Sequence, residues 1–119
     1  MSFDPVAALV AYHAALDAHD IARVETLMAT NATYESDGIG LVKGRDAITT
    51  AMRAYFTATP DHQAWDDEVS KSGPRSARCH WRLKATNKQT GAVVERSGTE
   101  EVVFDEAGLV LHVVVVDEI

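Results

Sequence analysis

The stretch Glu95–Asp117, ERSGTEEVVFDEAGLVLHVVVVD, constrains the fold more than any other part of the chain. β-Branched residues crowd both arms, and Asp105-Glu106-Ala107-Gly108 supplies turn chemistry between Phe104 and Leu109. A chain that contains it builds an antiparallel hairpin. Pairing Phe104 with Leu109 predicts Val102 opposite Leu111, Glu100 opposite Val113, Gly98 opposite Val115 and Arg96 opposite Asp117, all on one face. The other face carries Thr99, Glu101, Val103, Val110, His112, Val114 and Val116. Both faces are partly apolar, so both need a cover, the chain's own helices on one side and a second subunit on the other. Glu100 then stands out as either a pocket acid or the mark of a different register.

The chain has 119 residues, one domain's worth, and is 46% hydrophobic, enough for a core without disulfide staples. Its single cysteine, Cys79, forms no internal disulfide, which fits a reducing cytoplasm. No apolar run approaches a membrane span, and Met1–Asp4 lacks the features of a signal peptide. With 18 acidic and 11 basic side chains the net charge is −7, which argues against nucleic acid or an anionic membrane as partner. A soluble cytoplasmic protein with a small-molecule ligand is the expectation.

Taken in order, Asp4-Pro5 is a helix start, with Val6, Leu9, Val10, His13 and Leu16 at helical spacing and Tyr12 on the flank. Ala18-His19-Asp20 breaks it, and Asp20 is placed to cap a second helix whose buried stripe is Ile21, Val24, Leu27 and Met28. A short strand over Asn31–Ser36 follows, ended by Asp37-Gly38 and the loop Ile39–Gly44. A third helix starts near Asp46, buries Ile48, Met52, Tyr55 and Phe56, and stops at Thr59-Pro60-Asp61. The rest reads as strand: Trp65–Ser72, Ser76–Thr86 and the hairpin, with turns at Gly73-Pro74 and Asn87–Gly91. Three helices followed by an antiparallel sheet give an α+β fold.

Strand Ser76–Thr86 sets apolar Ala77, Cys79, Trp81, Leu83 and Ala85 against basic and polar Ser76, Arg78, His80, Arg82 and Lys84. Pairing Thr86 with Ala92 would lay the basic face beside Glu100, and Arg78 or Arg82 could then neutralise it. A slip of one residue puts Trp81 there instead. Sinking basic side chains costs more than a loop dictates, so Trp81 and Cys79 are expected inward and His80 and Arg82 outward.

The order of elements, together with YHAALDAHD, DIARVETLMATNATYES, GRDAI at 44–48 and GTEEVVFDEAG at 98–108, resembles the nuclear transport factor 2-like superfamily, in its SnoaL-like and ketosteroid-isomerase-like branch. The resemblance spans nearly the whole chain and implies a single cone-shaped domain, three N-terminal helices packed on a curved antiparallel sheet. It implies a pocket and an isomerase or cyclase working by proton transfer on a small hydrophobic carbonyl compound, or a binding or assembly module of the same shape. The isomerase branch's oxyanion-hole tyrosine falls on Tyr12, eight residues before Asp20, and its protonated acid falls on Glu100, four before Phe104. Its general base falls on Ser36, with Asp37 one residue later.

Tyr12 and a neutral Glu100 would be two donors on one carbonyl oxygen, the arrangement for which ketosteroid isomerase is itself the standard illustration. The base would be Asp37 or Asp117, with Glu35 and His80 as further candidates. Leu16, Tyr34, Ser36, Met52 and Phe56 are expected to line the pocket from the helices and first strand. Trp65, Trp81, Val102, Val113 and Val115 are expected to line it from the sheet. Each acid also has a structural use: Asp117 can pair with Arg96, Asp37 can serve a turn, and Asp20 a cap. No triad, zinc spacing or nucleotide fingerprint appears, so the expected chemistry is free of metal and cofactor. A homodimer through the outer sheet face, with Val114, Val116 and His112, completes the reading.

Overall fold

Asp4 accepts hydrogen bonds from the amides of Val6 and Ala7, at 3.0 and 3.2 Å, and Pro5 fills the first helical position, so helix α1 runs Pro5–Asp17. The computed structural model in which these contacts are seen describes residues 3–37 and 39–118. The expectations placed on Met1, Ser2 and Gly38 lie outside the described residues. Asp20 accepts the Arg23 amide at 3.1 Å and opens α2, Ile21–Leu27. Met28, expected on the stripe of α2, has instead turned extended and begins strand β1, Met28–Ser36. The loop expected over Ile39–Gly44 contains a further strand, β2, Gly40–Lys43, too short for alternation to reveal it. Helix α3 spans Arg45–Ala58, and strands β3, Gln63–Gly73, β4, Ser76–Thr86, β5, Val93–Phe104, and β6, Val110–Asp117, complete the chain.

The six strands form one sheet in the order β2-β1-β6-β5-β4-β3. It is mixed, which corrects the antiparallel expectation: β1 runs parallel to β6, and the other pairs are antiparallel. No turn joins β1 to β6, so their relative direction is set by how the intervening chain folds back.

The hairpin register differs by two residues from the expected one. Val102 faces Val113, Glu100 faces Val115 and Gly98 faces Asp117. Asp105, whose carboxylate accepts the amides of both Ala107 and Leu109 at 2.9 Å, draws Leu109 into the turn so that Phe104 meets Val110, and a bulge between Val103 and Phe104 adds the second residue of the shift. From Val103 back along β5 the shift of two preserves side-chain parity, so those residues keep their faces. Val110, expected on the outer face, instead pairs with Phe104 and is buried in the core, because a bulge at Leu111 reverses the alternation there. Between β4 and β5, Thr86 pairs with Val93 and Trp81 with Gly98, which puts Trp81 and Cys79 on the inner face and His80 and Arg82 outside. Trp81 lies flat enough over Gly98 that a Cβ there would come within 2.8 Å of its ring.

Helices α1 and α3 lie across the inner face. Leu9, Tyr12, Val24, Met28, Val102, Val110 and Val113 are fully buried between the layers, each worth about 1.5–3 kcal/mol of transfer free energy. Beyond this dense end the helices and sheet diverge and leave a cavity.

Candidate functional site

The cavity has a volume of about 350 Å³ and is mainly apolar. Leu16 of α1, Met52 and Phe56 of α3, Trp81 of β4 and Val115 of β6 supply much of its wall, with Tyr34 and Ser36 of β1. Among the residues expected to line it, these seven do. Trp65 does not: it pairs with Arg82 on the outer side of the sheet, is 45% exposed and has the Arg82 guanidinium over its ring at 5.7 Å. Val102 and Val113 do not either, because they are sealed in the core.

The polar end of the cavity is built by three residues from three elements. Glu100, on the inner face of β5 and 6% exposed, hydrogen-bonds His13 Nε2 through Oε1. Asp66, on the inner face of β3, bonds His13 Nδ1 through Oδ2. His13 on α1 thus bridges two carboxylates, and all three residues border the cavity. Burial alone would lower the imidazole pKa, but the Glu100 charge and the bonds to Asp66 and Glu100 outweigh it and push the value from 6.5 up to about 10. At neutral pH, therefore, an imidazolium sits between the two acids. The Cys79 thiol lies 3.7 Å from the other Asp66 oxygen, and burial, then Glu100 and Asp66, push it upward.

The expected catalytic set is only partly brought together. Tyr12 is wholly buried behind His13, its hydroxyl has no partner among the described residues, and it does not border the cavity. Burial and the nearby Glu100 raise its pKa well above 10.0. Asp37 accepts the Asp117 amide at 3.1 Å, which fastens the end of β6 to the end of β1. Asp117 accepts Arg96 Nε at 2.9 Å, the ion pair foreseen for it, now reached diagonally. Neither Asp37 nor Asp117 borders the cavity; Arg96 does. Ser36 borders it and receives the Ile39 amide at 3.2 Å.

His13 and Asp66 are the polar residues that sequence reasoning did not place here. For His13 the signal existed, a titratable ring on the buried stripe of α1. Asp66 had none, because β3 shows little apolar alternation and carries a bulge at Glu68, where φ is 55° and the register shifts. A second polar group was also missed: the Tyr55 hydroxyl meets His62 Nδ1 at 2.8 Å, and His19 stacks on Phe56 with centroids 4.2 Å apart. Burial, helped by His19, lowers the His62 pKa.

A family model described as a SnoaL-like domain matches residues 9–113. The chain belongs to the SnoaL-like domain family. No curated protein matches the sequence. Among solved structures, an NTF2-like protein of unknown function from Exiguobacterium sp. 255-15 is 21% identical with a TM-score of 0.80, covering 93% of this chain and 98% of that one. RV0760c from Mycobacterium tuberculosis, solved with estradiol-17β-hemisuccinate, is 21% identical with a TM-score of 0.81, covering 93% and 91%. The epoxide hydrolase/cyclase-like enzyme SalBIII of salinomycin pyran ring formation is 16% identical with a TM-score of 0.82, covering 94% and 88%. At these identities the likeness establishes the cone fold, as the family resemblance implied. No described helix is long and apolar enough to cross a membrane.

Proposed function

We propose that this SnoaL-like chain binds a small, largely apolar molecule bearing a carbonyl group in its cavity and moves a proton on it, with Glu100 as the base. The observation that carries the reading is a buried carboxylate bordering an apolar cavity, with only Oε1 engaged by His13. A carbon-bound proton next to the carbonyl would pass to the free Glu100 oxygen, and the C–H electron pair would move onto the carbonyl oxygen as an enolate. Tyr34, and Arg96 through the N–H groups that Asp117 leaves free, both border the cavity and are the donors to hold that oxygen. Returning the proton at another carbon completes an isomerisation; attack of the enolate carbon on a second carbonyl closes a ring. His13 and Asp66 are positioning residues that hold Glu100 in place. Tyr12, Asp37 and Asp117 are left with structural roles.

Binding without turnover is the second reading, favoured by the steroid ester seen in RV0760c, which supports a small apolar occupant in a cone of this kind. β-Tetralone in D₂O separates the two. Wild type should exchange its α-protons, and Glu100→Gln should slow this at least about 100-fold while still binding a naphthol. Naphthol binding by wild type with no exchange above buffer would leave a binding pocket only.

We also propose that two copies meet through the outer sheet face, where Val114 and Val116 are 40% and 47% exposed beside His112. Light scattering should give twice the chain mass at micromolar concentration, and a monomer there refutes the dimer. The one free cysteine is consistent with a place in the reducing cytoplasm.

A further inference from the structure

Three different ligand types converge on the Nδ1 side of His13. Asp66 touches Nδ1 through Oδ2 and approaches Cys79 Sγ to 3.7 Å through Oδ1, and donor atoms of His13, Asp66 and Cys79 all lie within 4.8 Å of one another. Glu100 holds the imidazole from the other side, at Nε2. We infer that His13, Asp66 and Cys79 form a site for one divalent transition-metal ion of the zinc type, its fourth position open to the cavity.

Tetrahedral zinc with nitrogen, oxygen and sulfur ligands sets its donor atoms roughly 3.4–3.6 Å apart. The sulfur and the nearer Asp66 oxygen, 3.7 Å apart, already stand close to that separation, and the Asp66 oxygen on Nδ1 must back away to admit the ion. A carboxylate on the far nitrogen of a ligating histidine fixes the tautomer that presents Nδ1 to the ion and strengthens it as a ligand, which is the place Glu100 occupies. A thiolate in the set selects zinc or cobalt over magnesium or calcium, which prefer oxygen throughout. Three protein ligands with one vacant corner on a cavity is the pattern of sites that polarise a bound oxygen rather than brace a fold. The ligands stand on α1, β3 and β4, His13 53 positions from Asp66 and Asp66 13 from Cys79, so no local spacing could announce them.

The inference goes beyond the proton-transfer reading and does not rest on it. Its test is read with no organic ligand present, so either can fail alone. The full chain, dialysed against a chelator, is titrated with Co²⁺ alone and then competed with Zn²⁺. One equivalent should bind and bring up a thiolate-to-cobalt charge-transfer band, which Cys79→Ser abolishes. Asp66→Asn should weaken uptake at least about tenfold. His80→Gln, on the outer face, should change nothing. Absence of saturable uptake, or uptake with no thiolate band, overturns the inference on the wild-type spectrum alone, even should a variant fail to fold. Uptake unchanged in a folded Cys79→Ser protein overturns it as well.

Discussion

His13 and His80 are each flanked by two carboxylates, and the sheet separates them. Inside, Asp66 and Glu100 hold His13, whose side chain is 11% exposed. Outside, Asp67 and Glu118 flank His80, with all three side chains between 32% and 53% exposed. Asp66 and Asp67 are neighbours on β3, and strand alternation alone sends one to the cavity and the other to solvent, opposite Trp81 and His80 respectively. The chemical groups are the same; the medium differs. Water and salt screen the outer cluster, so its attractions fall within the small values usual for surface pairs. In the inner cluster the His13 and Glu100 side chains are 11% and 7% exposed and have lost most of their hydration, while Asp66 keeps 22%; the Glu100 charge and the bonds to both acids drive the His13 pKa up to about 10. Whether a histidine between two acids is a screened surface group or a strongly coupled one is therefore decided by burial, not composition.

The sharpest way to break this contrast is to remove equivalent side chains from the two faces. Trp81→Ala should cost about 3–5 kcal/mol in urea unfolding, because it empties the space over Gly98, whereas Trp65→Ala should cost less than about 1 kcal/mol. Equal losses would mean that the two faces are not distinguished by packing. Next in size, Glu100→Ala should destabilise by about 3 kcal/mol by leaving the imidazolium with one partner, while Glu118→Ala should stay within about 0.5 kcal/mol. If both variants unfold at the same urea concentration, the difference between the two clusters disappears.

A smaller effect belongs to His62, a third histidine in a third setting. Burial and His19 lower its pKa, Asp61 acts in the opposite sense, and Tyr55 is bonded to its Nδ1. The folded chain thus binds its proton less readily than the unfolded chain. Its contribution is intact above the ordinary value of 6.5 and is lost as pH falls through that value toward the lowered one. Stability measured at pH 7 and pH 5 should drop more in wild type than in His62→Gln. Parallel losses would show that His62 does not titrate as a buried base.

Much of the fold was legible because it rests on short-range chemistry. Asp4 and Asp20 cap the helices expected of them, and the hairpin keeps its two faces except at Val110, which the turn and the bulge beside it carry into the core. Trp81 was legible as an inward residue because burying Arg78, His80 and Arg82 in its place would be too costly. The parallel pairing of β1 with β6 was not legible, since nothing local joins them. Tyr12 and His13 illustrate the limit for the site. They are adjacent on one helix, both near its buried side, and a rotation of about 100° decides which meets the core and which meets the cavity.

From the amino-acid order alone follow the three helices, every strand but β2 and the face of the hairpin that Glu100 shares with Val102 and Gly98, because helical and strand periodicities act within a few residues. Only the packing of α1 across β3 and β5 decided that this carboxylate would share a histidine with Asp66. Those three side chains lie far apart along the chain, and their meeting depends on the docking angle of a helix and a bulge at Glu68, neither of which any local pattern encodes.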